Sequence, residues 1–135
     1  MANIIPPYEK ADQHYGTVAA LEFGICHLGV KQLIILGHSQ CGGIQALLNH
    51  DDLIPNNFIT PWMSIIASNV TLTGNADDCA KEALLWSYKN CLTFPWIKQR
   101  VDANTLQIQR WFFDIKHGKI MTYCANSNNY VPFGE

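Results

Sequence analysis

The residues whose types and spacing most plainly suggest chemistry are gathered in one stretch, Gly37-His38-Ser39-Gln40-Cys41-Gly42-Gly43. Three chemistries use such a set. His38 and Cys41 are three positions apart, so across a turn both side chains can converge on one ion, and imidazole nitrogen and thiolate are ordinary zinc ligands. Gly42 and Gly43 let the backbone approach closely and leave N–H groups at the start of a helix. On spacing alone, a capping histidine beside a small buried cysteine explains the same residues more often than a metal does. The second chemistry is a serine nucleophile: Gly37-His38-Ser39-Gln40-Cys41 differs from the G-x-S-x-G elbow only at its last position, where the strained turn has no room for a side chain. Asp114 and His117 follow as acid and base, too close in sequence to be placed independently. The third is Cys41 as a nucleophile activated by a helix N-terminus and a neighbouring His; the sequence names no further partner for it.

These residues must be positioned by the elements around them. Lys31-Gln32-Leu33-Ile34-Ile35-Leu36-Gly37 reads as a strand buried on both faces, as in a parallel sheet, and ligands bind at the C-terminal end of such strands. Before it, Met1 to Tyr15 reads as loop around Pro6-Pro7. A helix runs from Thr17 with Val18, Leu21, Ile25 and Leu28 on one stripe, and Gly29 suits its end. After it, Ile44, Leu47 and Leu48 open a short helix. Asp51 to Pro61 reads as irregular and Trp62 to Val70 as helical. Asp77-Asp78 begin a helix, where acids complement the dipole, with Ala80, Leu84, Tyr88 and Cys91 facing inward. Thr93 is the expected N-cap of a short helix with Pro95 just inside it. Leu106 to Ile115 and Ile120 to Cys124 read as a hairpin about Lys116-His117-Gly118-Lys119. Helix, strand, turn, helix is the grammar of an α/β fold. A doubly buried strand needs neighbours on both edges; the hairpin supplies one, and nothing before Thr17 supplies the other.

Composition narrows the classes. The 135 residues fit one domain, with 48% hydrophobic and 15% charged residues arguing against disorder. A net charge of −2 offers no basic field for a nucleic-acid backbone. No apolar run approaches the roughly 18 residues a membrane span needs. Pro6-Pro7 stop the only early apolar residues, so no signal peptide is read. The five cysteines are odd in number and irregular in spacing, which suits a reducing cytoplasm better than a disulfide framework. The sequon Asn69-Val70-Thr71 is read as chance.

Over nearly the whole chain, and in order, the sequence resembles a β-class carbonic anhydrase. Ala2-Asn3-Ile4-Ile5-Pro6-Pro7-Tyr8 resembles that family's AN-VPP loop, and Gly16-Thr17-Val18-Ala19-Ala20-Leu21-Glu22-Phe23 the helix after it. Leu36 to Gly43 resembles its H-x-x-C-G-G zinc turn. Leu92-Thr93-Phe94-Pro95-Trp96 and Trp111 to Gly118 resemble its late helix and final hairpin. The resemblance implies an α/β fold, a parallel sheet flanked by helices with a C-terminal hairpin, missing its first strands, so that residues 1–135 form a single, partial domain. It implies that His38 and Cys41 hold one Zn2+ ion, that Phe23 lines the carbon dioxide pocket across a dimer interface, and that the Gly42 N–H faces bound substrate. It also implies a homodimer or higher homo-oligomer, with no nucleic acid and no membrane among its partners.

The departure from the family pattern is equally specific. The family's zinc is held by two thiolates and one imidazole, and the other Cys lies in a C-x-D-x-R motif upstream of the AN-VPP loop. These residues begin at the edge of that loop, so the resemblance implies an N-terminally truncated member. Cys26, His27, Cys79, Cys91, Cys124, His14, His50 and His117 offer no convincing third ligand; Cys79, Cys91 and Cys124 read as buried thiols. The implied function is zinc-dependent reversible hydration of carbon dioxide to bicarbonate, a lyase reaction, impaired in this chain by the missing ligand and the missing Asp–Arg pair. The alternatives are a non-catalytic remnant or interaction protein and, behind it, a hydrolase using Ser39.

Overall fold

The computed structural model describes residues 3–9, 15–49, 58–71 and 74–134. Five α-helices and four strands follow in the order α1 (Tyr15–Glu22), β1 (Gln32–His38), α2 (Gly42–Leu48), α3 (Ile59–Ala67), α4 (Ala76–Cys91), α5 (Pro95–Asp102), β2 (Gln107–Asp114), β3 (Lys119–Cys124) and β4 (Asn129–Pro132). A π-helical turn, Phe23–His27, continues α1. The sheet order is β1-β2-β3-β4. β1 and β2 are parallel, and the two later pairs are antiparallel. The fold is thus α/β as expected: β1 and β2 form the parallel pair, and β2 and β3 the late hairpin of a mixed sheet. β4 adds a strand the sequence reading lacked. No helix of the described residues is long and apolar enough to cross a membrane.

Parallel pairing needs a long crossover, and α2 to α5 provide it. α4 is its spine. Asn75 caps it by accepting from the Asp78 N–H at 2.9 Å, and the acids Asp77 and Asp78 follow in the first turn, as the dipole favours. Ala80, Ala83, Leu84, Ser87 and Cys91 are buried along it, against Ile35 and Gly37 of β1 and Phe112 of β2. Burial pushes the Cys91 thiol up to about 12. Two polar residues on α4 anchor the N-terminal loop. The Ile5 N–H donates to Ser87 Oγ at 3.3 Å, and Asn90 Nδ2 donates to the Ile5 carbonyl at 2.7 Å. That leaves Ile4 and Ile5 in the core. The stretch expected as loop is loop where described, but it is a buried strap.

Four expectations change. Leu28 is exposed rather than on the helix's inner stripe, because the π turn rotates the last residues by one position; the Leu28 N–H bonds the Phe23 carbonyl, five residues back. Gly29, at φ +65°, does end the segment. Arg100 of α5 gathers its loose carbonyls, donating to Ile25, Val30 and Gly29 as well as Thr105. Second, α3 starts at Ile59, three residues before Trp62; 51–57 lie outside the described residues. Third, the N-cap of α5 is Phe94, with Pro95 at the first helical position, while Thr93 Oγ donates to the Asn90 carbonyl instead. Fourth, Cys124 is half-exposed, not buried.

The largest correction concerns β1. Ile35 and Gly37 are buried beneath α4, but Ile34 and Leu36 on the opposite face are 40% and 49% exposed. The face opposite α4 is therefore the more open one at these positions. Ile120 and Phe133 extend the open apolar face onto β3 and the chain beyond β4. Among the described residues β1 has a neighbour on one side only. Along that free edge runs an open groove of about 620 Å³ between Leu33–Leu36 and residues of α1 including Ala20 and Leu21.

A bare edge and a bare apolar face are both templates for association. Ile34→Lys should therefore cut self-association, read as sedimentation or elution volume against concentration, while leaving the melting temperature of the dilute, unassociated chain within about 2 °C, since the removed side chain packs on little. Equal association in this variant would show that the face stays solvated.

Candidate metal centre

The H-x-x-C turn leaves the C-terminal end of β1 beside β2, and four contacts fix it. Gly37 is the first. A Cβ there would stand 2.9 Å from Leu84 Cδ1 and 3.1 Å from its Cγ, so only glycine lets β1 lie this close to α4. Ser39 is the second: its N–H bonds the Phe113 carbonyl at 2.9 Å, and its buried Oγ accepts from the Ile115 N–H at 2.9 Å. Third, Gln40 takes φ +54°, and its N–H donates to Asp77 Oδ1 at 3.0 Å on the first turn of α4. Fourth, Cys41 is the N-cap residue of α2, in extended conformation, with its carbonyl accepting from the Gln45 N–H at 2.9 Å. Chain reversal, helix start and docking onto α4 thus fall within five residues.

The turn orients the two candidate ligands. His38 Nδ1 lies 2.9 Å from the Ser39 carbonyl. A carbonyl only accepts, so Nδ1 carries the proton and Nε2 keeps its lone pair for a ligand. That is the support a metal-binding imidazole ordinarily has from its second nitrogen. Cys41 is buried, and Gly42 is exposed at the first position of α2. An open hollow of about 400 Å³ is lined by His38, Cys41, Gly42, Gly43, Ala46 and Ile59. Behind the turn, an enclosed space of about 10 Å³ has little more than room for one water.

His38 and Cys41 fit zinc as two donors of a set. Among the described residues no group of three His, Cys, Asp or Glu side chains is placed to hold a metal, whereas a catalytic zinc takes three protein ligands. Cys79, on the first turn of α4, is buried. Burial foremost, then the charges of Glu82 and Cys41, holds its thiol above the usual range, which keeps it protonated. Cys26 and His27 are exposed on the π turn, and none of the five cysteines is in a disulfide. His14 and His50 lie outside the described residues. Phe23 is 58% exposed and stacks on His27, with ring centroids 5.8 Å apart; it lines neither hollow at His38. Asp77 is the residue the sequence reading missed at the site. It was legible only as a helix-dipole acid, because its contact to Gln40 spans 37 positions.

The serine alternative finds its dyad but not its nucleophile. His117 Nδ1 lies 2.6 Å from Asp114 Oδ2, on the exposed β2–β3 turn. Ser39 is buried and engaged with the backbone of Phe113 and Ile115 instead, so its hydroxyl serves as a strap.

Comparison with known proteins agrees with this geometry. A family profile described as "Carbonic anhydrase" matches residues 1–120. The chain is 32% identical over 125 residues to the chloroplastic β carbonic anhydrase 5 of Arabidopsis thaliana, covering 84% of this chain and 41% of that protein. The solved β-carbonic anhydrase CcaA superposes with a TM-score of 0.83 at 27% identity, over 97% of this chain and 68% of that one. A tetrameric β-carbonic anhydrase from the ascomycete Sordaria macrospora superposes at 0.67 and 26% identity, over 90% and 64%. The chain belongs to the carbonic anhydrase family, in its β class. It spans less than half the length of the Arabidopsis relative.

Two outcomes test the site's supports. Gly37→Ala should destabilise the fold by about 1–3 kcal/mol in denaturant titration, because the new methyl overpacks a fully buried Leu84; an unchanged midpoint would mean that β1 and α4 are not in close contact. The hydrogen bond from His117 holds the Asp114 carboxyl below its ordinary range. A depressed folded pKa contributes stability that is complete above the unfolded value and is lost as pH falls through the folded one. Carboxyl NMR titration should find Asp114 low in the native chain and raised toward its ordinary value in His117→Ala, where the backbone N–H of residue 117 still donates; no difference would remove the pair.

Proposed function

We propose that this chain contributes two protein ligands, His38 and Cys41, to a zinc centre whose reaction is the reversible hydration of carbon dioxide to bicarbonate, and that the chain alone is impaired in it. The observation that carries the reading is a ligand-ready His38 Nε2 beside Cys41 on one braced turn of a carbonic anhydrase fold. Zinc held by these residues would supply Lewis-acid activation of water near neutral pH. The chain's own residues do the rest. The Ser39 carbonyl holds the imidazole proton on Nδ1, and Cys41 Sγ would be the second ligand. The Gly42 N–H, at the start of α2, would donate to an oxygen of bicarbonate, and the hollow that Ala46 and Ile59 help to line would receive carbon dioxide. Among the described residues no third side chain joins them, which is why the chain alone is impaired.

The same reading makes the working form a homo-oligomer in a reducing cytoplasm. The open apolar sheet face supports assembly, and the Sordaria relatives are tetrameric. Phe23, remote from its own His38 hollow, then serves the carbon dioxide pocket of a neighbouring copy. A second reading, a non-catalytic interaction protein, is favoured by one observation, the ligand set of two among the described residues.

Zinc per folded chain, measured by elemental analysis beside a His38→Ala control, tests the proposal. Zinc should load in excess metal, leave on dialysis, and be absent from the control, with carbon dioxide hydration close to the uncatalysed rate. Equal zinc in the control would remove His38 as a ligand. Tight stoichiometric zinc with rapid hydration would remove the impairment.

A further inference from the structure

Two arginines of this fold are used in opposite ways. Arg100 places its donors on the carbonyls of Ile25, Gly29, Val30 and Thr105. Arg110, in the middle of β2, places none. Among the described residues no carboxylate or carbonyl takes up its N–H groups. Its guanidinium carbon instead sits 3.5 Å from the centroid of the Tyr123 ring, on β3, and 5.2 Å from that of Tyr88, on α4. Such stacking stabilises the cation through the ring faces and leaves the in-plane N–H edge unspent. That edge borders a groove of about 520 Å³ lined by Tyr88, Arg110 and Tyr123 with Asn104, Gln107 and Thr122.

A second donor nearby lacks an acceptor. The Tyr130 hydroxyl is buried without a hydrogen-bond partner among the described residues. Burial pushes this phenol up to about 12, with the Arg110 charge acting the other way, so the guanidinium's field reaches it and its proton stays on. Tyr130 also packs edge-on against Tyr123, with centroids 5.7 Å apart. Tyr130 is not among the residues that line the groove, so Arg110 is the cationic donor that faces it. Its N–H edge meets only solvent there, and an acceptor-only group of matching shape can take that place.

We propose that the Tyr88–Arg110–Tyr123 stack is a binding site for small organic carboxylates. A carboxylate is planar, matches the guanidinium edge bidentately, and enters between two rings where a tetrahedral oxyanion meets their edges. The site is separate from the H-x-x-C turn: Arg110 pairs across the sheet with Ile35, three residues before His38. The proposal rests on no reading of the metal centre.

NMR titration of the full isotope-labelled chain tests it. Sodium acetate and sodium benzoate are the probes; sodium chloride and sodium phosphate at equal ionic strength are the controls. The Arg110 Nε–H and the Tyr123 ring resonances should shift saturably with both carboxylates, half-complete at about 1–10 mM, an affinity fit for one bidentate pair. Arg110→Gln should abolish saturation. Arg110→Lys keeps the charge but not the fork, and should weaken binding at least about fivefold, which covers the case in which the Gln variant does not fold. Linear shifts, shifts equal to those with chloride, tighter binding of phosphate than of acetate, or unchanged binding in Arg110→Lys would each overturn the assignment.

Discussion

The contact between Gly37 and Leu84 is the constraint on which the rest of the site depends. β1 must run against α4 with no side chain between them, and that approach puts the strand's last residue beside the first turn of the helix. Asp77 can then reach the Gln40 N–H, and Ser39 can bridge to the start of the β2–β3 turn. Each of these hydrogen bonds contributes about 1 kcal/mol net, so none alone decides the fold. Together they remove the freedom of the five residues that carry His38 and Cys41. A ligand pair preorganised in this way loses less entropy when it closes on an ion than a flexible pair would.

The opposite side of the molecule is built on the same sheet and left open. Burial of Ile35, Gly37 and Phe112 beneath α4 satisfies one face, while Ile34, Leu36, Ile120 and Phe133 lie bare on the other. The free edge of β1 and its groove continue that bare surface. The solved relative CcaA matches 97% of this chain with only 68% of its own length, so the shared part of the fold is a layered core that other chain segments or other copies can complete. Anything that covered the open face would also stabilise the strand that ends in the H-x-x-C turn.

Much of this was legible from residue order. The strand through Leu33–Leu36, the turn after it, the inward stripe of α4 and the Gly118 hairpin follow from periodicity and turn chemistry. The resemblance to β carbonic anhydrases identified the family from five short segments. What escaped was set by tertiary contact. An uninterrupted apolar run reads as burial on both faces, and nothing in Leu33–Leu36 distinguishes the covered Ile35 from the uncovered Ile34. Phe94 carries no capping side chain, so Thr93 attracted the helix start. Arg100 and Asp77 act through partners more than 35 positions away. The exposed Leu28 reflects a π turn, which hydrophobic spacing cannot separate from α.

The account stands on a ligand set of one imidazole and one thiolate from each chain. X-ray absorption spectroscopy on the zinc-loaded full chain reads that set directly. One sulfur at about 2.3 Å with the remaining shell made of nitrogen and oxygen is the predicted result. Two sulfurs per zinc would contradict it, because a second thiolate from this chain or from a neighbouring copy would then complete the centre.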